Sequence, residues 1–167
     1  QNAIDKERTA ESIEEVATAL SQLLEKNGNL KELDLWGNYL CDDGVSHLVQ
    51  GLKKDKTSLT KLVLGQNKIK NEGAKAIAAM LSVNRTLVTL DLQGNNIGDK
   101  GAIAIVKAII NSGNKTLTTL DLRGNNITDK GARRIADSLE GTNIALTTLE
   151  LGGNKIKDQE CLKDIEK

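Results

Sequence analysis

Few residue types in this chain could do chemistry, and the strongest candidate pair consists of two carboxylates. Asp91 and Asp121 occupy the same place in two copies of the motif Leu-Asp-Leu, and a close carboxylate pair can serve in general acid–base catalysis. No nucleophile or base recurs beside them, and the lone His47 has no partners at metal-ligand spacing. Cys41 and Cys161 form no Cys-x-x-Cys motif. We therefore predict that the chain is not an enzyme and uses no metal or cofactor.

The composition restricts both the core and the partners. The chain has 167 residues, with 23 basic and 23 acidic side chains, no Phe, no Pro, one Trp and one Tyr. Its core must consist almost wholly of Leu, Ile, Val and Ala, which favours one small packing unit used repeatedly. The balanced charge argues against a nucleic-acid partner, and no apolar run approaches the roughly 20 residues that span a bilayer. Two cysteines are too few for a disulfide scaffold, so we expect a cytoplasmic protein.

An internal repeat dominates the sequence. Five segments fit the pattern Leu-x-x-Leu-x-Leu-x-x-Asn-x-(Leu or Ile), and they begin at intervals of 28 to 30 residues, at Leu30, Leu59, Leu87, Leu117 and Leu146. Alternation along each Leu-x-Leu places both leucines on one side of a short strand. After a loop, each segment continues into apolar residues at the i, i+3, i+4, i+7 spacing of an amphipathic helix. The sequence therefore predicts five strand–loop–helix units, with their strand motifs in residues 30–156.

Polar residues recur at fixed places in these units. The repeated asparagines, at a position that points inward, are Asn38, Asn67, Asn95, Asn125 and Asn154. Buried polar groups must be hydrogen-bonded, so we predict a ladder of asparagine side chains that bond loop backbone groups of neighbouring units. Asp42, Asp99 and Asp129 stand just before the helices, where we expect each to cap its own helix. Matches to the N-glycosylation pattern, such as Asn84-Arg-Thr86 and Asn114-Lys-Thr116, are interpreted as chance products of abundant Asn and Thr.

These residues resemble the leucine-rich repeat family, in its long-repeat, ribonuclease-inhibitor-like subclass, because the period of 28 to 30 residues leaves room for a full helix in each unit. The stretches LDLQGNNIGDKGAIAI and LDLRGNNITDKGARRI resemble repeats of nucleotide-binding immune receptors and also those of effectors that bacteria deliver into host cells. The resemblance implies an α/β fold. This fold is a right-handed leucine-rich repeat solenoid, or horseshoe, with parallel strands on the concave face and helices on the convex face.

The two ends of the chain fit the repeat less closely. We treat residues 1–167 as a single leucine-rich repeat domain. Residues 1–29 are predicted to form an N-terminal helix or partial repeat. A helix is expected at residues 12–26, and its packed face is predicted to carry Ile13, Val16, Ala19, Leu20 and Leu23. Residues 157–167 are predicted to form a C-terminal end or cap.

Stacked units create a surface that we call the strand face, formed by the outward side chains of the strands and of the positions just after them. Its three columns are Glu32, Lys61, Thr89, Thr119 and Thr148; Asp34, Val63, Asp91, Asp121 and Glu150; and Trp36, Gly65, Gln93, Arg123 and Gly152. Five acids and two bases leave this face negatively charged, which favours a basic partner and disfavours nucleic acid. In the alternative interpretation, Asp in Leu-Asp-Leu is simply common in this repeat type.

Trp36 is the strongest single candidate for a contact residue. It is the only tryptophan, at a strand position predicted to face solvent, with Tyr39 three residues on. Tryptophan is enriched among binding hot spots. The predicted partner-binding residues are Trp36, Tyr39, Asp34, Asp91, Asp121, Arg123 and Glu150. In the alternative, Trp36 covers the edge of the N-terminal helix or loop as a local lid.

The resulting hypothesis is a non-catalytic protein–protein interaction module that binds a protein partner on its concave face. On the charge argument this partner is basic, and neither nucleic acid nor a membrane is expected as a partner. We expect the chain to be a monomer. One source is a bacterial effector that acts in the cytosol of a host cell. The alternative is a ligand-sensing or regulatory repeat domain of a larger protein, of the immune-receptor type or of the GTPase-activator or enzyme-inhibitor type.

Overall fold

The computed structural model describes residues 4–53 and 57–158, with side chains from residue 11 onward. The strands are β1 (Glu32–Asp34), β2 (Lys61–Val63), β3 (Thr89–Asp91), β4 (Thr119–Asp121) and β5 (Thr148–Glu150). The helices are α1 (Ile4–Lys26), α2 (Cys41–Leu48), α3 (Asn71–Leu81), α4 (Asp99–Asn111) and α5 (Asp129–Leu139), and a 3-10 turn at Gly51–Lys53 follows α2. Residues 159–167 of the predicted C-terminal cap, and Cys161 with them, lie outside the described residues.

The strands form one parallel sheet of five strands in chain order. Each middle leucine pairs with the middle leucine of the next strand, from Leu33 to Leu149. The repeat therefore returns the chain to the same register after each helix, and parallel strands joined through a helix take the right-handed crossover. The predicted α/β solenoid is confirmed.

Neighbouring helices need a wider spacing than neighbouring strands, and this difference curves the stack of units. Neighbouring strands lie about 4.8 Å apart, whereas packed helices need about 8–10 Å between their axes. The helices α1 to α5 pack against one another in chain order, so each unit is wider on its helix side. The strand face therefore lies on the concave side of the solenoid.

An apolar core fills the space between the sheet and the helices. Leu90 and Leu120 from the strands and Ile105 and Ile135 from the helices are all fully buried. The cluster to which Leu90, Leu120 and Ile105 belong consists of Leu, Ile, Val, Ala and Met side chains. Burying a side chain of this size stabilises the fold by about 1.5–3 kcal/mol. Aliphatic side chains at the same positions of successive repeats thus fill the space between the sheet and the helices.

Asparagine side chains join each turn to the one before it. The Nδ2 of Asn95 donates to the carbonyl of Leu92 in its own turn and to that of Leu64 in the preceding turn, at 2.9 and 3.0 Å. Its Oδ1 accepts two N–H groups of the preceding turn, both at 3.0 Å. Bridges in the same direction are made by Asn67, Asn125 and Asn154. In the described part of the chain, no buried side-chain nitrogen or oxygen lacks a hydrogen-bond partner.

Asn38 occupies the open end of this ladder. It is exposed, and its Nδ2 donates to the carbonyl of Trp36 in its own turn at 3.2 Å. Within the described residues no strand precedes β1, so Asn38 has no earlier turn to bridge. The same residue type in the same motif is therefore exposed in one unit and buried in the next three.

The acidic residues at the helix starts bond the backbone of the following unit, and the prediction that Asp42, Asp99 and Asp129 each cap their own helix is wrong. The Oδ1 of Asp129 in α5 accepts the N–H groups of Lys157 and Asp158, at 2.6 and 2.9 Å. The Oδ1 of Asp42 in α2 accepts the N–H groups of Lys70 and Gly73 at the start of α3, at 2.7 and 2.9 Å. The Oδ1 of Asp99 in α4 accepts the N–H of Thr128 before α5 at 2.7 Å. A cap of its own helix must stand in extended backbone before the first turn. These residues already lie inside that turn, where they face the adjacent unit instead.

This cap between helices explains the recurring glycine in the first helical turn. The N–H of Gly101 donates to Oδ1 of Asn71 at 3.0 Å, and a Cβ at Gly101 would lie 2.9 Å from that oxygen. At Gly131 a Cβ would lie 2.2 Å from Oδ1 of Asp99. Any side chain at these positions would push the capping oxygen away. Asn71 stands outside the predicted set of capping residues, because it is not acidic.

Helix α1 buries a different face from the one predicted. Ile13 and Leu20 lie against the core, but Val16, Ala19 and Leu23 are exposed. The residues that α1 buries are Ala17, Ser21 and Leu24. A Cβ at Gly51 would lie 2.1 Å from the carbonyl oxygen of Ser21, so the backbones of α1 and the 3-10 turn are in direct contact. That contact, and not the spacing of the repeat, sets the rotation of α1 about its axis.

Two of the N-glycosylation matches form a second asparagine column. Asn84 and Asn114 are 4 % and 1 % exposed. The Nδ2 of Asn84 donates to the carbonyl of Leu52 at 2.8 Å, and that of Asn114 donates to the carbonyl of Leu81 at 3.0 Å. Each Oδ1 accepts N–H groups two and three residues further along its own chain. The segments that lead from helix to strand are therefore joined in the same way as the loops that lead from strand to helix.

We expect Asn95→Ala to lower the free energy of unfolding by about 1–3 kcal/mol, because it leaves buried backbone groups of two turns without partners. Asn38→Ala is the matched control, since Asn38 is exposed, and it should cost less than about 0.5 kcal/mol. Urea denaturation followed by circular dichroism measures both values. Equal losses for the two variants would show that burial in the ladder does not stabilise the stack.

Candidate functional site

The sheet brings most of the predicted site residues into one row. The register places Asp34, Val63, Asp91, Asp121 and Glu150 side by side on successive strands, about 4.8 Å apart at each step. The row crosses the whole strand face. Trp36 and Arg123 follow it two residues later in their own units, and Tyr39 lies in the loop after β1.

Two acids of the strand face are paired with neighbouring bases. Arg123 donates to Oδ2 of Asp121 from Nε at 2.9 Å and from Nη2 at 2.5 Å, and these bonds raise the pKa of Arg123. Asp121 is only 7 % exposed. Lys61 pairs with Glu32 at 3.3 Å. Both bases of the face are therefore held by acids of the same face.

The aspartates of the row also close the turns that follow their strands. The Oδ1 of Asp34 accepts the N–H of Trp36 at 2.9 Å, and that of Asp91 accepts the N–H of Gln93 at 2.8 Å. This is the side-chain-to-backbone bond of an Asx turn. Aspartate in Leu-Asp-Leu therefore has a structural role, in keeping with the alternative interpretation. The second oxygen of each carboxylate is not used by that turn.

Asp91 carries a charge that its surroundings disfavour. It is half-buried, and burial raises its pKa, with a further contribution from the nearby Asp121, although the N–H of Gln93 opposes both. Among the described residues, the ion pairs of this face involve Glu32 and Asp121. Asp34, Asp91 and Glu150 have none.

The indole of Trp36 covers the next unit. A Cβ at Gly65 would lie 2.1 Å from Cζ3 and 2.2 Å from Cε3 of the ring, so the ring occupies the space that a side chain at position 65 would need. Gly65 is buried, whereas Trp36 remains 43 % exposed. The two interpretations of Trp36 are therefore compatible, since the ring covers Gly65 and still offers area to a partner.

The loops after β1 and β2 contain strained backbone. Among the described residues, the non-glycine residues with positive φ are Tyr39, Cys41, Gln66 and Lys68, with φ between 54° and 58°. Such a conformation costs about 1–2 kcal/mol for each residue that has a side chain. At the position of Gln66 the later units have Gly94, Gly124 and Gly153, all with positive φ. The signal in the sequence that marks this region is Gln66, which stands where the later units have glycine.

Tyr39 is partly held by Lys68 from the following loop. The Nζ of Lys68 lies 4.3 Å from the centroid of the Tyr39 ring, which is the geometry of a cation–π contact. Tyr39 remains 56 % exposed. Both aromatic residues of the chain are thus placed by residues of the second unit and are accessible from solvent.

The other candidates for chemistry do not form a site in the described residues. No group of three or more His, Cys, Asp or Glu side chains is arranged there to hold a metal ion. His47 is exposed, and its Nδ1 lies 2.9 Å from the carbonyl oxygen of Asp43 in the same helix. Cys41 is exposed and free. None of the described helices has the length and hydropathy needed to cross a bilayer.

Two family models match the strand–loop–helix units. One, described as Leucine Rich repeat, matches residues 55–78, 83–106, 113–136 and 142–159. The other, described as Leucine Rich Repeat, matches residues 29–52. The chain belongs to the leucine-rich repeat family. Leucine-rich repeat domains typically mediate protein–protein interaction, and this coarse description applies to the chain.

Relatives among known proteins confirm the ribonuclease-inhibitor-like subclass. Ribonuclease inhibitor of Sus scrofa is 36 % identical over 94 residues, which are 56 % of this chain and 21 % of that protein. NACHT, LRR and PYD domains-containing protein 5 of Bos taurus is 36 % identical over 90 residues, 54 % of this chain and 8 % of that protein. The matched leucine-rich repeat segment thus spans about a fifth or less of these relatives, whose repeat domains are typically non-catalytic.

Solved structures share the fold. The structure titled Leiomodin-1 Actin-Binding Site 2 has a TM-score of 0.72 at 20 % identity and covers 88 % of this chain and 83 % of its own. The tropomodulin C-terminal domain from Caenorhabditis elegans has a TM-score of 0.67 at 11 % identity, with 93 % and 88 % covered. At these identities the similarity concerns the leucine-rich repeat architecture.

Gly65→Ala should lift the Trp36 ring from its position, because the new Cβ would lie 2.1 Å from the ring. Trp36 is the only tryptophan, so we expect red-shifted fluorescence emission and stronger quenching by acrylamide. Gly152→Ala is the matched control, since Gly152 occupies the same column and its Cβ would lie 3.9 Å from Arg123; both signals should stay as in the parent. Unaltered emission and quenching in Gly65→Ala would contradict the contact.

Asp91→Asn should raise the free energy of unfolding at neutral pH and lose this advantage in acid. Folding raises the pKa of Asp91, so the contribution of Asp91 to stability falls as the pH rises from the unfolded pKa, about 3.9, through the folded one. Asparagine imitates the protonated form and keeps an oxygen for the N–H of Gln93. Urea denaturation at neutral pH and at about pH 3 measures the effect. A variant less stable than the parent at neutral pH would refute this account.

Proposed function

We propose that the chain binds a protein partner on its strand face and does no chemistry of its own. The observation that carries this proposal is the exposed ring of Trp36, which lies on Gly65 beside a row of carboxylates. A large ring with few rotatable bonds gives contact area at low entropic cost. The face is also pre-organised, because its side chains project from a hydrogen-bonded sheet, and this reduces the cost of binding.

The charges of the strand face support a basic partner. In the described part of the chain, Asp34, Asp91 and Glu150 form no ion pair and lie in one row. Complementary charges on a partner would increase the association rate and fix its orientation. A nucleic acid would be repelled by the same row. Because a single chain forms the whole face, we further propose that a monomer is the active form.

The proposed contact residues divide into two groups. Trp36, Tyr39, Asp34, Asp91 and Glu150 offer exposed area or uncompensated charge. The pair of Asp121 and Arg123 acts as a support, because each satisfies the other. A partner would have to break that ion pair before it could use either member alone.

Two biological settings suit this function. In the first, the protein is a bacterial effector that acts in the cytosol of a host cell. In the second, it is a regulatory or ligand-sensing repeat segment of a larger cytoplasmic protein. The identities of 36 % to ribonuclease inhibitor, which by name inhibits an enzyme, and to a NACHT, LRR and PYD domains-containing protein favour the second setting. If the partner is a GTPase or a hydrolase, measuring its activity with and without the chain distinguishes regulation from simple binding.

Photo-crosslinking tests which face the partner occupies. A photoreactive amino acid at Thr119, on the strand face, should capture the partner from an extract, whereas the same residue at the exposed Lys107 of α4 should not. The captured protein is then purified and its affinity measured for the parent and for Trp36→Ala, which we expect to weaken binding at least about tenfold. A purified partner that binds Trp36→Ala as tightly as the parent, or that crosslinks only at position 107, would exclude the strand face.

A further inference from the structure

One part of the strand face has the features of a pocket for a single cationic side chain. Val63 lies in register between Asp34 and Asp91 and is half-buried. A carboxylate therefore stands on each side of an apolar floor, one strand spacing away, about 4.8 Å. Trp36 closes the third side, because its ring covers Gly65, two residues beyond Val63 on the same face. We call Asp34, Val63, Asp91 and Trp36 the Val63 patch.

We propose, on the basis of the proposed function, that the Val63 patch binds an arginine side chain of the protein partner. Asp34 and Asp91 lie on strands two spacings apart, about 10 Å, with the apolar Val63 between them. A cation that has both hydrogen-bond donors at its edge and a weakly hydrated face therefore suits the patch better than a compact ammonium. The guanidinium is planar, carries five donors and is weakly hydrated. It can donate to a carboxylate at its edge while its face contacts the indole and the methyl groups of Val63.

Among the described residues, the two bases of the strand face are paired with acids outside this patch. Lys61 precedes Val63 by two residues on the same strand, but its Nζ is bonded to Glu32 at 3.3 Å. Arg123 follows the last residue of β4, Asp121, by two positions, and its guanidinium donates to the carboxylate of Asp121. The charges of these two pairs cancel. Asp34 and Asp91 therefore keep carboxylates that form no ion pair among the described residues, and a cation of a partner would complement them.

The electrostatic environment of Asp91 also favours the binding of a cation. Burial and the neighbouring Asp121 disfavour its charge more than the N–H of Gln93 and the nearby Arg123 favour it, so its pKa is raised, and Asp91 forms no ion pair among the described residues. An incoming guanidinium would relieve this unfavourable charge. The unfavourable free energy of the charged Asp91 in the folded protein would thus be reduced in the complex.

Trp36 fluorescence reports on the patch directly, since it is the only tryptophan. The probes are three capped peptides in which glycine alternates with arginine, with lysine or with citrulline, the neutral isostere of arginine. We expect the arginine peptide to change the emission with half-saturation at a concentration about fivefold below that of the lysine peptide. The citrulline peptide should have no effect. Equal half-saturation for the arginine and lysine peptides would overturn the assignment to arginine, and no response to either would overturn the patch.

Variants separate the patch from a general effect of negative charge. Asp34→Asn and Asp91→Asn should each raise the half-saturation concentration of the arginine peptide about tenfold, and both retain an oxygen for the turn. Asp137→Asn, at an exposed position of α5, removes the same charge and should leave it unchanged. Circular dichroism confirms that each variant is folded. Equal losses for Asp91→Asn and Asp137→Asn would mean that the peptide responds only to net charge, and would refute the patch.

The same variants keep this inference distinct from the proposed function. If a partner crosslinks at Thr119 and binds Asp34→Asn and Asp91→Asn as tightly as the parent, the arginine site is wrong and the strand-face function stands. If the arginine peptide binds as described but the partner crosslinks only through the photoreactive residue at position 107, the patch is an arginine site that this partner does not use, and the proposed function fails. If the partner loses affinity in both variants, replacing its arginines one at a time with lysine identifies the side chain that enters the patch.

Discussion

In the first four units of this solenoid, an asparagine of the following unit bonds the backbone of the loop that leads from strand to helix. A loop has no regular pairing of its own, and buried N–H and C=O groups without partners are costly. The amide of Asn95 solves this problem with one side chain, because it both donates to and accepts from the turn before it. The stacking of leucines between sheet and helices depends on this bridge, since it keeps the loops at one register.

The helices depend on the preceding unit, whereas the loops depend on the following one. Asp42 belongs to the first unit, yet it caps the helix of the second, and Asp99 does the same for the unit after it. Each of the first three units thus supplies an oxygen at the start of the next helix and takes an asparagine amide from the next loop. Because neither unit is complete without its neighbour, the stability of the stack lies mainly in its interfaces, as expected for a repeat protein.

The sequence predicted the features that recur at one position of every unit, but it did not predict that the capping side chains of one unit bond the backbone of another. Five copies of one motif were enough to predict the strands, their register and the asparagines that must be bonded. The spacing within a copy could not show that Asp42 reaches a helix 28 residues further on. Likewise, the rotation of α1 depends on the approach of its backbone to Gly51, which no repeat pattern contains. The position of the Trp36 ring depends on the lack of a side chain at Gly65. The sequence pattern gave no sign that this glycine matters for Trp36.

The first two units differ from the others in the features that binding requires. They hold both aromatic residues, the four described non-glycine residues with positive φ and the exposed Asp34 of β1. The later loops turn at glycine. Strain and uncompensated charge lower stability, so they persist only where the surrounding structure determines the conformation. Asn67 and Asn95 provide that support, because their amides bond the backbone on both sides of Gln66 and Lys68. The regular bonding of the repeat is therefore what allows its first two units to carry an irregular and exposed surface.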